Sequence, residues 1–231
     1  RLNVYPLDQD GIPGKAVTTI DEGKREAHCV LLPPDGKNIY VPYVKENLAL
    51  LQYAYDSKTG KITPLETKNA KPPLGSGPRH MAYHPTLPMV YFSNEQGIGL
   101  SSYHRELNGE LKVAQDINIL PSGMSKIGLS ASDLIITPDG EFLFAGLRGH
   151  SQDFNRISRY RILKDGRAEF IGLTEADRIP WGLTLSPDGR FLLVSATAGA
   201  SLTAYQISPN GDLKKITSLP WDPKMSDLVA Q

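Results

Sequence analysis

Four times in this chain of 231 residues a short apolar segment runs into a Pro-centred turn, and a second apolar segment runs straight back out. The turns are Pro33-Pro34-Asp35-Gly36, His84-Pro85-Thr86-Leu87, Thr137-Pro138-Asp139-Gly140 and Ser186-Pro187-Asp188-Gly189. From Pro34 to Pro85 to Pro138 to Pro187 the steps are 51, 53 and 49 residues. A repeat of this length cannot bury its apolar surface alone and must stack on copies of itself. Strand–turn–strand content at a period near fifty points to a β-propeller, whose blades surround one central channel. The innermost strand of each blade lines that channel, so residues at one repeat position converge in space.

Segments 28–32 and 38–44, 79–83 and 89–94, 132–136 and 141–146, and 181–185 and 190–195 bracket the turns. They are rich in Val, Ile, Leu, Tyr and Phe, and read as β-hairpins closed in most cases by Asp-Gly. A third strand then recurs with an aromatic near its end, at 50–55, 100–103, 157–160 and 202–205. Gly60, Gly109, Gly166 and Gly211 follow as turns, each leading into a more variable fourth strand. The expected fold is all-β: a propeller of four-stranded antiparallel blades forming a single domain over 1–231. The ends break the repeat. Residues 2–7 with Gly11 match a third strand and its turn, and 225–230 resemble the innermost strand 131–136. The chain is thus expected to hold four whole blades plus parts of two more, with further blades ahead of residue 1.

Charge and cysteine content narrow the partners. Twenty-five basic residues balance twenty-five acidic ones with no basic stripe, so nucleic acid is not expected. No apolar run reaches the ~18 residues of a membrane-spanning helix. Cys29 is the single cysteine, which rules out an internal disulfide and fits a reducing, cytoplasmic setting. Position 1 is Arg rather than Met, which leaves a leader segment open. His80 and His84 are spaced like a helical metal pair, but on a strand they stand about 13 Å apart. There is no Gly-x-Ser-x-Gly elbow and no phosphate-cradling Gly loop. Asn94, Glu95, Asp133 and Asp227 are the groups that could gather a cation, but two nearby arginines oppose it. No metal and no cofactor is expected.

Two repeat columns carry chemistry. Six residues before each turn Pro, at the mouth of the inner strand, the chain reads His28, Arg79, Ser132 and Trp181. Where the second strand returns to the same end it reads Val44, Glu95, Arg148 and Thr197. Antiparallel pairing brings Glu95 back opposite Arg79, and Arg148 back opposite Ser132. His28, Arg79, Glu95 and Arg148 are therefore expected to cluster at one end of the channel, on three consecutive blades. Each also has a structural reading. Arg79–Glu95 fits an ion pair bracing one hairpin, His28 a core histidine, Arg148 a solvated loop residue, and Trp181 a packing residue.

The phrases Gly77-Pro78-Arg79-His80-Met81, Ser93-Asn94-Glu95 and Thr137-Pro138-Asp139-Gly140 resemble the seven-bladed lactonase family. That family includes propeller-type bacterial 6-phosphogluconolactonases and fungal carboxy-muconate lactonizing enzymes. The resemblance covers nearly the whole chain. Its most specific part is the Gly-Pro-Arg-His…Asn-Glu pair, with sixteen residues from Arg79 to Glu95. It implies a seven-bladed ring, and it puts the family's proposed active-site His, Arg, Glu and second Arg on His28, Arg79, Glu95 and Arg148.

The resemblance further implies a metal-independent hydrolase of carbohydrate metabolism that opens a small sugar-derived or carboxylated lactone at the channel mouth. Glu95 or His28 would take the proton from water, while Arg79 and Arg148 polarise the carbonyl and hold a carboxylate or phosphate. His80, Asn94, Ser132 and Trp181 are the expected substrate contacts. A lactonizing cycloisomerase using the same groups, or a non-catalytic binding or scaffold propeller, are the alternatives. One departure stands out: Trp181 occupies a place where several family members carry Arg. That removes one positive charge and favours a less anionic substrate, or a ring stacked on the indole.

Overall fold

The computed structural model describes residues 1–221, 225 and 227–230. Among these, seventeen strands form antiparallel sheets arranged as successive blades. β1 (Leu2–Val4) and β2 (Thr18–Ile20) make a two-stranded sheet, the outer part of one blade. The next sheet has three strands, β3 (Asn38–Tyr43), β4 (Ala49–Asp56) and β5 (Lys61–Asn69), with a 3-10 turn at Lys45–Asn47. Three four-stranded blades follow. The first holds β6 (Pro78–Tyr83), β7 (Met89–Asn94), β8 (Gly99–Arg105) and β9 (Leu111–Asn118). The second holds β10 (Leu129–Ile136), β11 (Phe142–Gly149), β12 (Arg156–Ile162) and β13 (Ala168–Glu175). The third holds β14 (Pro180–Leu185), β15 (Phe191–Ala196), β16 (Ser201–Ile207) and β17 (Leu213–Pro220). No helix among the described residues is long and apolar enough to cross a membrane.

The fifty-residue ruler thus marks real blades, with two departures. Residues 28–32 form no strand beside β3. Pairing there consists of the bridge Ala27↔Tyr43, flanked by the His28 N–H donating to the Pro42 carbonyl at 3.2 Å and the Val44 N–H donating to the Glu26 carbonyl at 3.4 Å. Pro42 sits in the second strand and has no N–H to return, so the ladder cannot continue in both directions. The expected inner strand at 225–230 is also not formed among its described residues, and Ser226 lies outside them. Asp227 nevertheless passes close beside Gly182 of β14, where a next inner strand belongs.

Cores lie between blades rather than within them. Tyr40, Leu50, Met81, Val90, Phe92 and Tyr103 pack one pair of blades, and Phe144, Ile157, Leu183, Leu192 and Tyr205 another. Strands covered on both faces lose the apolar–polar alternation, and β3, β7 and β11 are accordingly buried end to end. Buried phenols tie neighbours together. The Tyr40 hydroxyl donates to the Gly109 carbonyl at 2.6 Å, and the Tyr91 hydroxyl to that of Gly166 at 2.8 Å. These glycines close the turns between third and fourth strands at φ of +86° and +81°. They lie so near the adjacent blade that a Cβ at Gly166 would stand 2.5 Å from Met89 Cγ.

Two substitutions test this seam by denaturant unfolding. Gly166→Ala combines an unfavourable φ with overpacking and is expected to cost about 2–3 kcal/mol. Tyr91→Phe strands one buried carbonyl and is expected to cost about 1 kcal/mol.

Candidate active site

Each complete blade carries the same irregularity in its innermost strand. The ladder is regular until it reaches Pro78/Met81 in β6, Ala131/Leu134 in β10 and Pro180/Leu183 in β14, where it shifts. Two residues there oppose one: Arg79–His80 face Ser93, Ser132–Asp133 face Gly146, and Trp181–Gly182 face Ser195. Such a bulge twists the strand and re-aims side chains. It also corrects the expected register. Pro78 pairs with Asn94, so Glu95 does not come back opposite Arg79, and Arg148 pairs with Ser130 rather than Ser132.

Despite that slip, His28, Arg79, Glu95 and Arg148 converge. Glu95, just past the end of β7, is the centre. Its Oε1 accepts from Arg148 Nη2 at 2.9 Å, and its Oε2 lies 3.6 Å from Arg79 Nε and 3.8 Å from His28 Nε2. Arg148 Nη2 also donates to the Ala131 carbonyl at 2.8 Å, while the Ala131 N–H donates to the Glu95 carbonyl at 3.2 Å. Side chain and backbone therefore lock the two blades at this point. The arginine side chains are 2% and 3% exposed and that of Glu95 13%. Arg148 is therefore a buried residue of β11 and not a solvated loop residue. Trp181 covers both cations, its ring centroid 4.5 Å from the Arg148 guanidinium carbon and 5.4 Å from that of Arg79. Its indole thus faces protein charge, in cation–π contact.

The remaining expected contacts divide. His80 does line the channel, with its ring centroid 6.2 Å from that of His28. Asn94 is corrected: it turns into its own blade, its Nδ2 donating to Ser101 Oγ at 2.7 Å and Asp116 Oδ1 at 2.9 Å. The odd and even positions of a strand face opposite ways, which separates Asn94 from Glu95. Ser132 is corrected too, being buried with its hydroxyl donating to the Pro180 carbonyl at 2.8 Å. Its Oγ occupies space left by Gly146, where a Cβ would stand 2.2 Å away. In the preceding blade Ser93 makes the corresponding inter-blade bond, donating to the Ser132 carbonyl at 2.7 Å. Ser132 is therefore the blade's substitute staple.

A cavity of about 650 Å³ opens along the inner strands, walled at one end by His28, His80, Asp133 and Asp227, and further along by Leu31, Ile135 and Tyr83. Arg79, Glu95 and Arg148 lie beneath that end rather than on its wall. Asp133 is the residue the column reading passed over as a site group. It directly follows Ser132, as His80 follows Arg79, and the bulge brings this second column to the channel. Among the described residues no group of three His, Cys, Asp or Glu is placed to hold a metal ion.

Burial sets the protonation states. Burial first, and then the Arg79 charge, pull His28 down to about 4, with Glu95 opposing. His28 is therefore neutral at pH 7. Burial and the like charge of Arg79 bring Arg148 to about 10, still cationic at neutral pH. Two guanidiniums against one carboxylate leave the cluster an excess of positive charge. Burial lifts Cys29 to about 11, which leaves its thiol protonated and inert.

Comparison with known proteins adds to this geometry. The sequence profile of the family described as "Lactonase, 7-bladed beta-propeller" matches residues 1–224. The chain is 29% identical over 219 residues to 6-phosphogluconolactonase of Pectobacterium carotovorum subsp. carotovorum, covering 93% of this chain and 63% of that protein. It is 28% identical over 209 residues to 6-phosphogluconolactonase of Klebsiella pneumoniae, covering 89% and 60%. It thus spans a little under two thirds of the length of these curated relatives. The structure of the periplasmic gluconolactonase of Pseudomonas aeruginosa superimposes with a TM-score of 0.83 at 23% identity, covering 95% of this chain and 63% of that one. At that identity the likeness is one of fold.

The lowered His28 gives a pH signature independent of activity. The unfolded chain protonates this ring near 6.5, and the folded protein only near 4. Its contribution to stability is therefore complete above pH 6.5 and is lost as pH falls towards 4. Melting temperature is expected to fall across that window, and His28→Gln to flatten the fall.

Proposed function

The chain belongs to the seven-bladed β-propeller lactonase family, and we propose that it hydrolyses a small sugar-derived lactone at the end of the channel where His28, Glu95 and the two arginines meet. One observation carries this reading: a neutral histidine, a carboxylate and two buried guanidiniums, drawn from different blades, converge beside an open cavity. The relatives named 6-phosphogluconolactonase support it as a matter of likeness.

Hydrolysis of an internal ester needs a base for the attacking water and fixed positive charge where the carbonyl oxygen becomes an oxyanion. His28, neutral down to about pH 4, is the base. Its Nε2 faces the Glu95 carboxylate, so that nitrogen carries the hydrogen and Nδ1 is left to accept the proton of water. Glu95 then offsets the charge the imidazolium gains. The 3.8 Å separation must tighten to a hydrogen bond in the reacting complex, as catalytic contacts commonly do. Arg79 and Arg148 supply the positive potential from below the cavity floor. Arg79 Nε and Nη1, Arg148 Nε and Glu95 Oε2 are buried without a hydrogen-bond partner. Buried polar groups left unpaired are costly, and an oxygen-bearing substrate or its ordered water would complete them. In a low-dielectric floor these charges act strongly on a developing oxyanion. The excess positive charge also favours an anionic lactone.

The test is hydrolysis of a panel of phosphorylated, carboxylated and neutral sugar lactones, followed by acid release. Arg79→Ala is expected to lower kcat/KM about 100-fold or more, the scale of losing an oxyanion-stabilising group. Glu95→Gln is expected to lower kcat by about tenfold to 100-fold, with folding checked by circular dichroism. Absence of turnover on every lactone, or wild-type rates in both variants, overturns the reading. The acid limb of kcat/KM is expected near pH 4, where His28 gains its proton, and not near 6.5.

A further inference from the structure

Asp133 is tied to three neighbouring inner strands at once. From β10 its Oδ1 accepts from His80 Nδ1 of β6 at 2.7 Å and from the Leu134 N–H at 2.9 Å. Its Oδ2 accepts from the Leu183 N–H of β14 at 2.9 Å. Both oxygens are held by donors on rigid strands, so the carboxylate has little freedom to move. An ionised carboxylate only accepts hydrogen bonds, so Nδ1 of His80 must carry a proton. That fixes the tautomer: in the neutral ring Nε2 has the lone pair, and in the cation it carries the second proton. His80 Nε2 makes no hydrogen bond among the described residues, and the ring lines the cavity with part of its surface open. The charged and titratable groups sharing that end of the cavity are Asp133 from β10, His28 and Cys29 from the segment before the first turn, and Asp227 beside β14.

The channel therefore holds two histidine–carboxylate pairs set in opposite senses. His28 turns Nε2 towards Glu95, and His80 turns Nδ1 towards Asp133, with ring centroids 6.2 Å apart. An ester hydrolysis has two proton transfers to manage, one from water and one to the departing oxygen, and the cluster around Glu95 accounts for only the first. Bracing of blades alone does not explain a partly exposed, tautomer-fixed imidazole facing open space.

We propose that His80, oriented by Asp133, is the proton donor to the leaving ring oxygen. The inference rests on the lactonase reading above. The water oxygen bonds to the lactone carbonyl carbon, and the proton of the water passes to His28. The tetrahedral intermediate collapses, the bond from carbon to ring oxygen breaks, and its electron pair stays on that oxygen. The oxygen takes the proton from Nε2 of the His80 imidazolium and becomes a hydroxyl. The new carboxylic acid releases its proton to solvent, and the proton on His28 returns to His80 through water. Asp133 touches no substrate. It is a positioning residue that keeps Nδ1–H engaged and Nε2 aimed into the cavity.

The experiment combines ¹⁵N-histidine NMR with lactone kinetics on the whole protein. NMR of neutral His80 is expected to show the Nδ1–H form in the wild type, and loss of that preference in Asp133→Asn, whose amide can donate. His80→Gln is expected to lower kcat about 100-fold with KM within about threefold, the scale of losing one acid–base group. His80→Ala is expected to regain part of its rate when imidazole is added, since the cavity admits it. Asp133→Asn is expected to lower kcat while leaving KM within about threefold. The double variant is expected to be no slower than His80→Gln alone. A wild type that hydrolyses lactones while His80→Gln keeps its kcat overturns this inference and leaves the lactonase reading standing. So does an Nε2–H tautomer in the wild type, or failure of imidazole to restore any rate to folded His80→Ala. A wild type with no lactone turnover overturns the parent reading, and the donor role with it, whatever the tautomer.

Discussion

A twisted four-stranded sheet with two apolar faces cannot stand alone in water, and everything else in this chain follows from how that surface is covered. Each blade covers the next. The cost of exposing a central strand such as β7 or β11 is avoided only if its neighbours arrive on both sides. The inter-blade seams are accordingly where glycines are obligatory and where buried tyrosines place their hydroxyls. Radial stacking then forces the inner strands side by side, and with them the residues at their mouths.

The charged cluster sits where neighbouring inner strands meet, and its arginines are almost fully buried. Two guanidiniums at 2% and 3% exposure cannot be held by a water-like environment, and a single carboxylate does not neutralise both. The indole of Trp181 makes up part of the difference by presenting its ring to each cation. This recasts Trp181, which reads from sequence as a lost positive charge. A third arginine at that position would add to the repulsion between Arg79 and Arg148, whereas a tryptophan relieves it. The same burial keeps His28 neutral. A neutral imidazole thus stands 3.8 Å from the Glu95 carboxylate without forming an ion pair with it.

Much of the arrangement was legible in the chain because repeats make sequence position a proxy for spatial position. Pro-centred turns aligned the blades, and two columns picked out His28, Arg79, Glu95 and Arg148, which the structure does bring together. Two expected contacts were misplaced for different reasons. Asn94 adjoins Glu95 in the chain, but the pleat turns its side chain the other way, into its own blade. Ser132 follows from treating its column as free of structural duty, when the missing side chain of Gly146 had already claimed its hydroxyl. Asp133 was seen only as a weak metal donor, because its partners on β6 and β14 are 53 and 50 residues away and no local pattern joins them.

Sequence alone determined the fifty-residue spacing of the blades, the order of strands within a blade, and the convergence of His28, Arg79, Glu95 and Arg148. Those depend on period and polarity, and both are written locally. Only the tertiary structure decided what the groups do there: the bulge that turns two successive residues to the channel, the cover of Trp181 over both arginines, and the tautomer imposed on His80 by Asp133. Each of these is a matter of angstroms between different blades. Such distances arise from how whole sheets pack, so no stretch of sequence within one blade can encode them.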